Sequence, residues 1–145
     1  MYKRILVAID LNEESGWRAP LVAAAEQARA FGSEQLIVLT VIREIEALVY
    51  ARVGAIGYEM MARDLEKQLA ARVREVDAYD LKPKIVVEHG KGIYEVILGT
   101  AQEEGVDLIV VGSHRPAMKD YLLGTNADRV VRHANCSVLV ARDLP

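Results

Sequence analysis

Two glycines near the end of the chain stand where they could hold an anion. The first, Gly112, directly follows an apolar run and opens the stretch Gly112-Ser113-His114-Arg115. The second, Gly124, precedes Thr125 and Asn126, where a helical pattern begins. Glycine lets an anion approach the backbone closely, and the N–H groups at a helix N-terminus point at it. This arrangement therefore predicts a phosphate-binding loop between a strand and a helix.

Other interpretations of the same residues stay open. Both glycines could be ordinary turn residues. The chain has no Gly-x-x-x-x-Gly-Lys-Ser/Thr motif, and no Gly-x-Gly-x-x-Gly follows its first apolar run, so two common nucleotide signatures are absent. Arg115 could pair with phosphate oxygens or be a solvated cation. No Ser/His/Asp or Cys/His arrangement accompanies His114, so we predict no catalytic residue.

These residues must be positioned by the alternating elements of the chain. Helical spacing predicts helices at Gly16 to Ala30, Tyr58 to Tyr79, Ile93 to Glu104 and Asn126 to His133. Continuous apolar runs are typical of strands that helices cover on both faces. The sequence therefore predicts a doubly wound α/β domain with a parallel sheet. Its strands are expected at Ile5 to Ile9, Leu36 to Val41, Ile85 to Val87, Leu108 to Val111 and Val138 to Ala141.

Ligands of such sheets bind beyond the carboxyl ends of the strands, where the strand order reverses. Asp10 follows the first predicted strand and Gly112 follows the fourth. If these strands are neighbours, the two residues face each other across one crevice. Asp10 could equally be an N-cap or a loop acid before the first helix.

One segment, from Arg43 to Gly57, does not fit the alternation. It contains several large apolar residues, with Gly54 and Gly57 as hinges. We predict a long irregular connection, which is either functional or packed on the edge of the sheet.

Composition excludes several classes of protein. The 145 residues predict one domain, 1–145, and the net charge of −3 argues against nucleic acid as a partner. No apolar run reaches the roughly 20 residues that cross a bilayer, so we predict no membrane association. The start of the chain lacks a signal-peptide pattern, which favours a cytoplasmic location. Cys136 is the single cysteine, so we predict neither a disulfide framework nor a metal site built from thiolates.

Longer motifs resemble the universal stress protein family across the whole chain. The opening, from Lys3 to Asp10, is similar to the family's first strand and its terminal aspartate. The turn Gly90-Lys91-Gly92 is similar to the family's Gly-x-Pro turn, with glycine in place of proline. Segment 110–114 is similar to the family's fourth strand and the start of its glycine loop, and segments 113–116, 121–127 and 130–140 resemble the F/G-type branch closely. The resemblance implies a five-stranded sheet in the order 3-2-1-4-5, with two helices on each face.

The resemblance also implies a site for an adenine nucleotide, ATP or AMP, with Mg²⁺ as a possible companion of ATP. Adenine would lie between Asp10 and Val41, ribose near Gly112, and phosphates at Gly124, Thr125 and Asn126, while Ala8, His114 and Arg115 complete the set. The nucleotide-binding branch has Gly-x-x-Gly, nine residues and then Gly-Ser/Thr. Here Arg115 stands in place of the second glycine, and the spacing to Gly124 is one residue shorter.

The implied output is regulation of a stress response rather than metabolism. One alternative is a nucleotide-free interaction module of the same family. Another is a slow ATPase or self-phosphorylating protein, for which Ser113 and Thr125 are candidate acceptors although no base is evident. We also predict a homodimer through the last strand, because Val138, Leu139 and Val140 form an edge without proline or lysine, and a higher oligomer could build on it.

Overall fold

A computed structural model describes residues 1–12, 14–52, 54–113 and 124–143. Five parallel strands form one sheet in the order β3-β2-β1-β4-β5, which confirms the predicted fold and strand order. The strands are β1 (Arg4–Ala8), β2 (Gln35–Arg43), β3 (Lys84–Gly90), β4 (Leu108–Gly112) and β5 (Ser137–Ala141). The helices are α1 (Arg18–Phe31), α2 (Glu44–Ala51), α3 (Ala55–Glu75), α4 (Ile93–Glu103) and α5 (Thr125–His133).

The core has two halves, one on each face of the sheet. Alternate residues of β1 divide between them: Ile5 and Val7 belong to one half and Leu6 to the other. Helices α1 and α3 cover the first half, and α4 and α5 cover the second. Because both faces are covered, the central strands are apolar at successive positions, as the sequence indicated.

The prediction for residues 43–57 was wrong. An eight-residue helix, α2, starts directly after β2, and α3 begins at Ala55 rather than Tyr58. Gly54 separates the two helices with φ 94°, a backbone conformation that favours glycine, whereas Gly57 lies inside α3. The chain therefore has five α-helices within the described residues, and the helical spacing in this segment is real.

Candidate functional site

The two strands between which the sequence predicts a crevice are adjacent in the sheet. Strands β1 and β4 are hydrogen-bonded neighbours with Ile5 opposite Leu108 and Val7 opposite Val110. Their carboxyl ends meet at the same edge of the sheet. The chain leaves β1 for α1 on one face, while α5 lies on the other face. The strand order reverses at this point, so the two connections diverge and leave an opening between them.

Asp10 lies two residues beyond β1, in a loop that closes on itself. Its N–H donates to the Gly16 carbonyl at 3.0 Å, and its Oδ1 accepts the N–H of Asn12 at 2.9 Å. A Cβ at Gly16 would lie 2.9 Å from both Cβ and O of Asp10, so only glycine allows this close approach. The N-cap of α1 is Trp17, so Asp10 is a loop acid and not a helix cap. Asp10 is exposed at this edge of the sheet.

At the carboxyl end of β2, the backbone groups of Val41 that face β1 form no ladder hydrogen bond in the described structure. The Ile9 N–H donates to the Leu39 carbonyl at 2.9 Å, which continues the ladder between β1 and β2. The next acceptor in a parallel ladder is the Ile9 carbonyl, and the next donor is the N–H of Val41. Instead, the buried hydroxyl of Thr40 donates to the Ile9 carbonyl at 3.0 Å. The backbone of Val41 that faces β1 is therefore left open within the described structure.

Sequence reasoning did not single out Thr40. The signal was available, because Thr40 is the one hydroxyl residue in the apolar run from Leu36 to Ile42. Below the open backbone, Ala8 and Val41 are half-buried and pack against the same half of the core, the one that α4 and α5 cover. The small side chain of Ala8 beside that of Val41 provides an apolar floor suited to a flat ring.

A hydrogen bond holds the two ends of the glycine loop, Ser113 and Gly124, close together. Ser113 directly follows β4, and its N–H donates to the Ala141 carbonyl at 3.0 Å. The Gly124 N–H donates to the Ser113 carbonyl at 3.3 Å. Ser113 is only 5% exposed, which disfavours it as an accessible phosphate acceptor. The predicted residues His114 and Arg115 lie outside the described residues.

Backbone conformation does not require glycine at position 124, and the local space does not require it at position 112. Gly124 has φ −61° and ψ 154°, a conformation that any residue can adopt. A Cβ at Gly112 would lie 3.5 Å from Cγ of Pro20, which is an ordinary van der Waals contact. A ligand that approaches the backbone closely would explain why both positions are glycine, which backbone conformation alone does not explain.

Helix α5 begins at this edge with its first N–H groups directed out of the helix. The first bond between helical turns runs from the Asp128 N–H to the Gly124 carbonyl at 2.9 Å. The N–H groups of Asn126 and Ala127 precede that bond, and no side chain among the described residues caps the helix. Because the Gly124 N–H is engaged by Ser113, the candidate backbone donors for a ligand are those of Asn126 and Ala127. Such an end favours an anion.

Two histidines contact tyrosine side chains, which indicates structural roles and not catalytic ones. His133, in the last turn of α5, stacks on Tyr94 with ring centroids 6.0 Å apart. His89, in β3, has its Nδ1 2.7 Å from the hydroxyl of Tyr58. Burial, and then the charge of Glu88, raise the pKa of Tyr58, so its hydroxyl stays protonated at neutral pH.

Two kinds of feature are absent from the described ranges, a cluster of metal ligands and a membrane-spanning helix. No group of three or more His, Cys, Asp or Glu side chains there could hold a metal ion. No helix in those ranges is long and apolar enough to cross a membrane.

Comparison with known proteins places these features in a family. The model of the universal stress protein family matches residues 1–142. Universal stress protein G of Shigella flexneri is 33% identical over 86 residues, and that match spans 58% of each chain. Universal stress protein A homolog 2 of Coxiella burnetii is 30% identical over 144 residues, which are 97% of this chain and 95% of the relative.

Solved structures have the same fold. The structure of MJ0577 of Methanocaldococcus jannaschii covers 100% of this chain and 99% of its own, with a TM-score of 0.72 at 27% identity. A universal stress protein in complex with cAMP covers 97% of both chains, with a TM-score of 0.64 at 23% identity. One from Archaeoglobus fulgidus in complex with dAMP covers 97% of this chain and 98% of its own, with a TM-score of 0.63 at 21% identity.

Proposed function

The chain belongs to the universal stress protein family, and on that premise we propose that it binds an adenine nucleotide, ATP or AMP, in the crevice between β1 and β4. Binding has a regulatory output in the stress response of the cytoplasm. The observation that supports the proposal is that three features lie at one edge of the sheet. They are the carboxylate of the exposed Asp10, the open backbone of Val41, and the start of α5, which no described side chain caps. Two structures of the same fold contain cAMP and dAMP, both of which are adenine nucleotides with one phosphate.

The base is held at the β1–β2 side of the crevice. An adenine ring presents a donor and an acceptor along one edge, and the backbone N–H and C=O of Val41 offer the complementary pair. Its faces are apolar, which suits Ala8 and the side chain of Val41. Thr40 keeps the backbone available because its hydroxyl satisfies the Ile9 carbonyl.

The ribose and phosphates follow toward β4 and α5. Asp10 accepts a hydrogen bond from a ribose hydroxyl with the carboxylate oxygen that Asn12 does not use. The phosphate lies against Gly124, with the N–H groups of Asn126 and Ala127, the hydroxyl of Thr125 and the helix dipole stabilising its charge. Mg²⁺ would accompany ATP, with the phosphates as its main ligands.

The glycine at the start of α5 gives the first test. A Cβ and two methyl groups at Gly124 would occupy the space of the phosphate, so Gly124→Val should abolish binding of AMP and ATP measured by calorimetry. The matched control is Gly99→Val, the same change at an exposed glycine of α4 with no atom within 4 Å of the added Cβ. Both variants should keep the circular dichroism of the wild type. Undiminished binding to Gly124→Val would disprove the phosphate site.

Asp10 needs two variants, because its carboxylate also holds the loop. Asp10→Ala removes both the acceptor for the Asn12 N–H and the proposed ribose contact, and should weaken binding by roughly 1–3 kcal/mol. Asp10→Asn keeps the acceptor for Asn12 but loses the charge and one of the two oxygen acceptors. If Asp10→Asn restores full affinity, the residue acts only by shaping the loop.

A substitution of Arg115 tests whether this residue takes the place of the second glycine of the family pattern. If its guanidinium replaces the missing second glycine as a phosphate contact, Arg115→Ala should weaken ATP binding far more than adenosine binding. The loss should shrink at high salt, since screening reduces charge attraction. If ATP binding is unaffected or stronger, Arg115 is a solvated or obstructing residue, and the shorter loop favours AMP.

We further propose a homodimer in which β5 pairs with β5 of a second copy. Strand β5 is an edge of the sheet, and Val138, Leu139 and Val140 are only half-buried there. An unprotected apolar edge favours such pairing. Val138→Lys should dissociate this dimer, which sedimentation at micromolar concentration measures, and an unchanged sedimentation coefficient would contradict the proposed interface.

A further inference from the structure

Large apolar side chains are concentrated on the outside of α2 and of the first turns of α3. Five aliphatic residues there are 60% to 71% exposed, and Tyr50 beside them is 43% exposed. The two helices are consecutive and pack on each other. We call this surface the α2–α3 face. Its aliphatic members are Ile45, Leu48, Val49, Ile56 and Met60.

Helical spacing puts these residues on the outer side of each helix. On α2, Ile45, Leu48 and Val49 follow the spacing i, i+3, i+4, which defines one face. On α3, Ile56 and Met60 are four residues apart. Between them, Tyr58 points toward the sheet, where its hydroxyl contacts His89.

This exposure is costly for the protein on its own. Helix α2 has eight residues and buries only Ala47. Isolated helices shorter than about 12 residues are marginal in water, and most helices in proteins depend on a buried apolar face. Helix α2 instead turns its apolar residues outward, so its own chain does not supply that burial.

The exposed area matches what an interface requires. The five aliphatic residues together expose roughly 600 Å² of surface, which is at the upper limit for a single patch on a soluble monomer. With Tyr50 the total approaches the roughly 800 Å² that each partner contributes to a standard interface. The size therefore fits a protein surface better than a small ligand.

We propose that the α2–α3 face binds the same face of a second copy of this chain across a two-fold axis. A two-fold interface must complement itself, so it needs apolar residues at its centre and charges of both signs around them. Arg52 lies at the end of α2 and Glu59 in the second turn of α3, and both are exposed and form no ion pair within the described residues. A two-fold axis between them pairs Arg52 of each copy with Glu59 of the other.

This interface is separate from the one proposed for β5. Helix α2 contacts β2 and β3, whereas β5 is the opposite edge of the sheet. The two contacts can therefore form together and yield an assembly larger than a dimer. Because α2 starts at Glu44, three residues after Val41, the contact also lies close to the proposed adenine position.

The test measures molar mass by light scattering in a Val138→Lys background, which removes the β5 contact. We expect a dimer in that background and a monomer when Val49→Glu and Ile56→Glu are added. Tyr79→Glu is the matched control, since Tyr79 is 66% exposed outside this face, and it should leave the dimer intact. A monomer before the glutamates are added, or a dimer after them, overturns the proposal. Nucleotide binding measured in parallel reports on the crevice separately.

Crosslinking locates the axis independently of mass. Burial raises the pKa of the half-buried Cys136 thiol, and Cys136→Ser removes this only native cysteine. In that background, Val49→Cys should form a disulfide-linked dimer under mild oxidation, because Val49 lies one helical turn from Arg52, beside the proposed axis, and only residues beside a two-fold axis meet their own copies. Tyr79→Cys should not. Equal crosslinking of both variants would mean random collision and would refute the two-fold contact.

Discussion

Replacing Asp107 should loosen the amino end of the sheet, because its carboxylate joins the beginnings of β1 and β4. Oδ2 accepts the N–H of Lys3 at 2.9 Å, and Oδ1 accepts the N–H of Arg4 at 3.0 Å. The Asp107 N–H in turn donates to the Arg4 carbonyl at 3.0 Å. Burial acts to raise the pKa of the Asp107 carboxyl, but the N–H groups of Lys3 and Arg4, its own N–H and the charged N-terminus together outweigh it and hold that pKa below its ordinary value.

The loss can be estimated from these two bonds. A hydrogen bond to a charged group contributes about 1.5–3 kcal/mol, and the bond to Lys3 is exposed and belongs below that range. Asp107→Ala should therefore lower the free energy of unfolding by about 2–3 kcal/mol. Asp107→Asn keeps one acceptor oxygen and sets an amide group against the other donor, so it should cost about 1–2 kcal/mol.

The effect should depend on pH in one direction. A carboxyl whose pKa is lower in the folded state than in the unfolded state stabilises the protein above the unfolded pKa of about 3.9. This stabilisation is lost as the pH falls through the folded pKa. The difference between wild type and Asp107→Ala should thus be constant from pH 7 to about pH 5 and shrink below about pH 4.

Urea unfolding followed by circular dichroism, at one protein concentration and several pH values, measures these differences. Asp80→Ala serves as the control, since Asp80 has a side chain 69% exposed and pairs with Arg29 on the surface. Its removal should change the free energy of unfolding by less than about 1 kcal/mol. A loss for Asp107→Ala no larger than for Asp80→Ala, or one that persists unchanged at about pH 3, would refute the reasoning.

Three further substitutions test the site and the packing. Thr40→Val should lower the free energy of unfolding by about 1 kcal/mol, because the Ile9 carbonyl loses its buried donor, and should weaken AMP binding in calorimetry; unchanged affinity would contradict the role given to Thr40. Gly90→Ala should destabilise the fold by about 1–3 kcal/mol, because the new Cβ would clash with Cγ2 of Val96. Thermal unfolding should show a smaller loss in a Val96→Ala background, and additive losses would disprove the clash. Gly99→Ala should raise the free energy of unfolding by about 0.5–1 kcal/mol through helix propensity, and a lowered melting temperature would count against it.

The strands and most helices could be predicted from sequence because their signals are local. The strand from Leu36 onward is apolar at successive positions, which only a sheet covered on both faces requires. Gly32 ends α1 in the left-handed conformation, with φ 58°, and a glycine directly after a helical pattern is a local signal of a helix end. Family motifs supplied the strand order. Helix α2 was not predicted, because its own chain does not bury its apolar residues. The segment was therefore interpreted as a long irregular connection.

For the candidate site, too, some features can be predicted from sequence and others depend on the tertiary structure. Sequence alone proposed Asp10, Gly112 and Gly124 as candidates, because a strand end, a glycine and a helix start are recognisable along the chain. Tertiary structure decided which atoms of this edge remain open. It showed that Asn12 uses one oxygen of Asp10 and that Ser113 uses the N–H of Gly124. A hydrogen bond between two elements depends on their register and spacing in three dimensions, and these properties are not visible in either element alone.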